Sequence, residues 1–374
     1  MKTLKRILAA TTLLVTLGFA SEANAQVPLE NFFKNPEKAG YQISPDGKYF
    51  SYMAPYENRL NLFVQEVGSD KATRITSETV RDLAGSMWAN GHRILYIKDT
   101  AGDENFQLYG VNVDGTDSKA YTAFPKVRTT IIDPLENIDS LVIIGLNKRN
   151  PQVFDPYRLN LNNGELTQLA ENPGNIQGWM TDHNGKLRVA LAIVDGVNTQ
   201  ILYRETEEQP FRPVLTTNFK ETVSFATFTP DNKMVYALTN IGRDKTALVL
   251  MDPATCEEKE VLYTNDKYDI SGLGYSELKK KLISVSCTGH KGTIRHYFDK
   301  NEEAIRTKLE QKLEGYDINT TSEDKSENIR IIYAGGDRTY GTYYTYNVKE
   351  DKLTKIADLA PWIKEEDMVP MHPI

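Results

Sequence analysis

Apolar runs of six or seven residues recur along this chain, separated by polar turns rich in Pro, Asp, Asn and Gly. YFSYMA follows Ser44-Pro45-Asp46-Gly47, RILYIK follows Trp88-Ala89-Asn90-Gly91, and LRVALAI follows Asp182-His183-Asn184-Gly185. LVIIGL begins at Leu141, MVYALT follows Thr229-Pro230-Asp231-Asn232, KLISVSC follows Ser276 to Lys280, and IRIIYA follows Ser322 to Glu327. Short runs of β-branched and aromatic residues between turn clusters predict strands rather than helices. In the first turn Pro45 presets φ, Asp46 can bond its own backbone, and Gly47 takes a left-handed position without steric cost.

Each run leads through a polar loop into a second strand: NLFVQEV, QLYGVNV, PYRLNL, QILYRE, ALVLMD, IRHYF and YYTYNV. Val67, Val113, Leu161, Met251 and Val348 mark the ends of five of them; the first three stand 46 and 48 residues apart, and the next intervals, 90 and 97, are two units each. In most units a turn such as Val113-Asp114-Gly115 leads to an outer strand (ATRIT, LTQLAE, EKEVLYT, LTKIAD). Four strands per unit and seven units of this period predict an all-β chain, a seven-bladed β-propeller of four-stranded antiparallel blades over residues 41–360. One blade cannot bury both faces of its sheet; seven around an axis bury them against one another.

Three segments fall outside the period. Leu29, Phe32 and Phe33 form one apolar helical face within residues 26–40, stopped by Pro36. Residues 299–314 predict a helix inserted in blade six: Asp299 and Glu302 make a capping-box-like start, Ile305, Leu309 and Leu313 line one face, and Gly315 ends it. Residues 361–374 carry Trp362, Ile363, Met368 and Met371 with no further strand to bury them, and read as a linker toward an absent domain.

The first 25 residues predict a secretory signal peptide. Lys2, Lys5 and Arg6 precede a mostly apolar stretch from Ile7 to Ala20, and Ala23-Asn24-Ala25 offers a cleavage site after Ala25. The expected location is therefore the periplasm or the outside of the cell, with no membrane span. Without residues 1–25 the formal charge moves from −7 to −9, which disfavours a nucleic-acid partner. Cys256 and Cys287 are the two cysteines and make no disulfide framework.

Catalytic signatures are missing from the sequence. No serine sits in Gly-x-Ser-x-Gly; Ala84-Gly85-Ser86-Met87-Trp88 comes nearest and lies in a strand. The five histidines are scattered, without metal-ligand spacing, so neither a metal nor a cofactor is expected. Gly-His…Trp-Asp repeats and sialidase-type Asp boxes are absent, and three tryptophans are too few for a sugar platform. The loops between second and third strands offer more, because a propeller gathers them on one face. Asp103, Glu104, Asn105, Arg149, Arg243, Asp244 and Arg338 lie there and form the expected substrate or docking face.

ISPDGKYFSYMAP, RILYIKDTAGDENFQLYGVNVDG, GLNKRNPQVFDPYRLNLNNGELTQLAENPGN and NIGRDKTALVLMDPAT resemble the propeller of the prolyl oligopeptidase (S9) family of serine peptidases. Exported acylaminoacyl-peptidase and dipeptidyl-peptidase-like members are the nearest group. The resemblance implies a propeller that restricts access of short peptides to an α/β-hydrolase domain, normally in cis, which carries a Ser-Asp-His triad. None of those three positions exists in this sequence, so no catalytic residue is carried over. It also implies a substrate-binding role for Gly102 to Gln107, and a hydrolase surface for the helix at 29–33 and the tail from Trp362 to pack against. A stand-alone binding propeller of the TolB type, scaffolding an envelope partner, is the competing expectation.

Overall fold

The computed structural model describes residues 27–290 and 292–372; the expected signal peptide lies outside them. A short helix, α1 (Leu29–Phe33), precedes the first blade. Blade one is β1 (Ala39–Ile43), β2 (Tyr49–Tyr56), β3 (Arg59–Glu66) and β4 (Ala72–Arg74). Blade two is β5 (Gly85–Asn90), β6 (Arg93–Lys98), β7 (Gln107–Asn112) and β8 (Lys119–Ala120); blade three is β9 (Thr129–Asp133), β10 (Leu141–Asn150), β11 (Val153–Asn160) and β12 (Leu166–Gln168). Blade four runs through β13 (Ile176–Thr181), β14 (Leu187–Val194), β15 (Asn198–Tyr203) and β16 (Arg212–Thr217). Blade five holds β17 (Val223–Phe228), β18 (Val235–Thr239), β19 (Ala247–Met251) and β20 (Glu258–Tyr263). Blade six has β21 (Ile270–Ser276), β22 (Lys281–Gly289) and β23 (Gly292–Tyr297), followed by α2 (Lys300–Lys312); blade seven has β24 (Asp317–Glu323), β25 (Ile329–Gly336), β26 (Thr339–Asn347) and β27 (Lys352–Asp358).

Every sheet is an antiparallel meander of consecutive strands. The expected four strands hold in six blades and fail in blade six, which has three. The physical reason lies just past β23, where Asp299 caps a helix instead of a strand. Its Oδ1 accepts from Asn301 N (2.8 Å) and Glu302 N (3.1 Å), while Lys281 Nζ sits 2.7 Å from Oδ2. Leu309 and Leu313 of α2 then pack on Ile318, Ile332 and Tyr346 of blade seven. Buried Glu302 ties the helix down, accepting from Arg330 Nη1 (2.8 Å), Arg330 Nη2 (3.0 Å) and Lys279 Nζ (2.7 Å).

The remaining core sits between blades. Leu62, Ile94 and Tyr96 join blades one and two; Leu95, Ile144 and Leu159 join two and three; Val189, Phe228 and Val249 join four and five. Among the described residues no blade borrows a strand from the other end of the chain, so the ring closes by side-chain packing and two hydrogen bonds between blades one and seven. Tyr41, Ile43, Phe50 and Tyr52 meet Ile331, Tyr343 and Ile356, with Ile43 N donating to Ser322 Oγ (3.1 Å) and Lys325 N to the Pro45 carbonyl (2.9 Å). Cys287 is buried, Cys256 is partly so, and both are free thiols.

Candidate functional site

Antiparallel meanders put all loops between second and third strands on one face of the ring, here the loop face. The linkers between blades, α1 and the tail after β27 share it. Loops between first and second strands occupy the far face.

On the loop face, Asp103 shapes its own turn. Its Oδ1 accepts from Thr100 N and Asn105 N, both at 3.1 Å, and its Oδ2 from Asn105 Nδ2 at 3.1 Å. The Asn105 side chain and these amides hold its pKa below the ordinary carboxylate value. Buried Asp99 anchors the same loop, taking Glu104 N at 3.2 Å and pairing with Arg81 Nε at 3.2 Å. The Glu104 carboxylate itself is exposed and has no ion pair among the described residues.

The three arginines are committed within the chain. Arg149 grips the fully buried Asp155 through Nε and Nη2, each at 2.9 Å, and Nη2 also donates to the Asn172 carbonyl. Arg243 Nη2 lies 2.8 Å from both oxygens of Glu258. Arg338 Nη2 meets Glu365 Oε1 at 3.0 Å, and Tyr316 OH donates to Glu365 Oε2 at 2.7 Å. Asp244 is exposed, with only its neighbour Lys245 at 3.1 Å. The fold thus places all seven expected residues on one face, and Arg149, Arg243 and Arg338 hold it together while Glu104 and Asp244 point charge outward.

Helix α1 and the tail after β27 meet at blade seven on this face. Trp362 Nε1 donates to the Asn31 carbonyl (2.9 Å), Tyr340 OH to the Phe32 carbonyl (2.8 Å), and Lys34 Nζ sits 4.1 Å above the Trp362 ring. Around this junction Leu29, Phe33, Val369 and Met371 are 69%, 78%, 77% and 73% exposed.

Thr130, Gln177, Ser224, Ser271 and Asn319 each follow a buried residue on an innermost strand, at spacings of 47, 47, 47 and 48, and all are exposed. Sequence reasoning missed what bridges the ring on its far face. Blade three joins β9 to β10 by a seven-residue loop, Pro134 to Ser140, the longest of these connections, which take two to six residues in the other blades. Leu135 and Ile138 press on Gly185 (φ +71°), where a Cβ would come within 3.2 Å of both. Asn137 Nδ2 donates to Glu277 of blade six (2.9 Å), and Asp139 pairs with Lys325 of blade seven (2.6 Å). Blades six and seven stand opposite blade three, so these contacts cross the axis. His183 of blade four adds Nδ1 to Glu277 at 3.5 Å, with Nε2 2.9 Å from the Phe228 carbonyl. Glu277 raises the His183 pKa, and His183 lowers that of Glu277. The legible signal was the long turn before LVIIGL.

Among the described residues no group of three or more His, Cys, Asp or Glu side chains is arranged to hold a metal, and no helix is long and apolar enough to cross a membrane. No protein-family model matches the chain. Dipeptidyl aminopeptidase BIII of Pseudoxanthomonas mexicana is 28% identical over 354 residues, covering 91% of this chain and 50% of that protein. Dipeptidyl peptidase family member 6 of Caenorhabditis elegans is 26% identical over 355 residues, covering 88% and 47%. A solved prolyl endopeptidase shares the fold at a TM-score of 0.60 and 12% identity, over 93% of this chain and 55% of that one. The chain spans about half the length of the relatives it matches. It is a seven-bladed propeller similar, along about nine-tenths of the chain, to about half the length of each of these two dipeptidyl peptidases, relatives of the prolyl oligopeptidase (S9) family.

Proposed function

We propose that this propeller is the gating and substrate-recognition module of an exported serine oligopeptidase, with peptide-bond chemistry carried by an α/β-hydrolase domain docked on the loop face. The observation that carries this reading is the apolar junction of α1 and the tail. Leu29, Phe33, Val369 and Met371 are each more than two-thirds exposed on the face where the committed arginines have already rigidified the loops. Packing against a second domain would bury them. The far end of the axis is bridged by the blade-three loop, so short peptides reach the hydrolase from the loop face or its rim. Glu104 and Asp244 present carboxylates there for a peptide's cationic groups.

The test is the size of the native product. An antibody against the propeller should detect, in the envelope fraction of the source cells, a band larger than the 42.3 kDa of this chain by a domain of about 250 residues. The purified propeller should turn over no chromogenic dipeptide substrate. A native band at the propeller's own size, with no hydrolase co-purifying, would overturn the reading in favour of a stand-alone binding propeller.

A further inference from the structure

Six blades finish on a fourth, outermost strand; blade six finishes on β23. Phe298 N donates to the Ile283 carbonyl at 2.8 Å, which fixes the phase of the β22–β23 ladder. His296 and Ile294 then bond inward to Val285 and Cys287, while Thr293, Arg295 and Tyr297 direct their backbone N–H and C=O away from the sheet. No hydrogen bond from any other described element reaches those outward groups. An unpaired edge of this length is a template for another strand.

The surroundings of this edge have a chemical bias. Alongside it, α2 leaves a cleft of about 200 Å³ into which Thr293, Arg295 and Tyr297 face Arg306, Glu310 and Glu303, the last paired with Lys300. Arg306 is committed to Glu310 (2.7 Å) and to the Ile318 carbonyl (2.6 Å). Arg295 has no ion pair among the described residues; its one polar contact is Asn319 Oδ1 at 3.4 Å. Burial and the neighbouring Arg306 lower its pKa, while Tyr297 and Glu310 act in the opposite sense. On the opposite face of the strand, Ile294 and Phe298 are 44% and 37% exposed. The edge therefore offers backbone donors and acceptors, an unmatched cation on one face and apolar side chains on the other.

We propose that blade six receives its fourth strand from a partner protein: an extended segment pairs with the β23 edge, sets an acidic side chain against Arg295, and lays apolar side chains beside Ile294 and Phe298. Strand addition takes affinity from main-chain hydrogen bonds and specificity from alternate side chains. A second copy of this chain fits poorly, because edge-to-edge pairing would bring two Arg295 side chains together.

The proposal is tested on the whole chain with a fluorescein-labelled peptide, Lys-Thr-Val-Glu-Val-Thr-Lys, read by anisotropy. Saturable binding is expected. Arg295→Glu should weaken it at least tenfold, and the same peptide with lysine for glutamate should bind that variant better than it binds the wild type. Thr293→Pro removes an outward N–H and should also abolish binding, with the melting curve retained as proof of folding. No binding by the wild type at millimolar peptide, binding by either variant as tight as by the wild type, or a dimer in light scattering that Thr293→Pro dissolves would each overturn it.

Discussion

At the scale of single residues, charge on the loop face does two separate jobs. Asp155 is fully buried and takes both Arg149 bonds as well as Asn172 N at 2.7 Å. A buried carboxylate with those partners is costly to disturb, because what remains is left unpaired in low dielectric. Asp155→Asn should therefore lower unfolding stability by about 3 kcal/mol, seen as a lower denaturant midpoint at unchanged slope. Glu104→Gln should leave that midpoint in place. Equal effects from the two would erase the distinction between scaffold charge and free charge. This distinction was invisible in the sequence, where Arg149, Arg243 and Arg338 look like Glu104 and Asp244: polar residues on loops. Position on the face follows from the strand period, whereas the partner of each charge comes from other segments, Glu365 for Arg338 and Glu258 for Arg243.

At the scale of elements, blade six shows how one capping residue redirects a chain. The pattern after IRHYF carries a strong helix start, and the same residues explain why no outer strand follows. Asp299 accepts two helix N–H groups and the Lys281 ammonium, with Lys281 the largest influence, and its pKa falls to about 2. Asp299→Ala should cost about 1 kcal/mol through the lost cap. The sign of its pH dependence follows from the lowered value. The carboxylate's contribution is complete above its ordinary pKa near 3.8 and is lost as pH falls toward 2. Wild-type and variant unfolding curves should accordingly converge between pH 4 and pH 2; a gap that stays constant there would show that the cap works through shape and not charge. Helix and strands were legible from capping and period. The missing strand was not, because a sequence that starts a helix does not say whether a strand is displaced or merely interrupted.

At the scale of the whole molecule, the repeat dictated blade number, while the bridges that cross the ring come from its irregular parts. Glu277 raises the His183 pKa above 6.5, so that part of the far-face bridge is complete below 6.5 and is lost as pH rises through the raised value. Glu277, held below its ordinary 4.5, contributes above that value and is lost as pH falls through the lowered one. The loop from Pro134 to Ser140 should be firmest between about pH 4.5 and 6.5. Hydrogen-exchange protection factors of its amides should drop from pH 6 to 8.5, and His183→Gln should remove most of that change. Protection that ignores pH would show that the apolar contacts of Leu135 and Ile138 hold the loop alone.

The contact between Asp139 and Lys325 spans 186 residues of chain. Most steps of assembly are local, a hairpin, a meander, one blade against the next; the exceptions are this contact, Asn137 with Glu277, and the meeting of blades one and seven with the chain segments that flank them. This contact has no local precursor and cannot exist until blade seven is in place, so it is a hub pin that goes in last. Loop-closure entropy makes such a contact late in folding. A wheel still missing a blade has no pin, and its absence distinguishes a nascent or nicked ring from a finished one. The same seven-residue loop that bridges the axis is thus also the molecule's own record that the circle was closed.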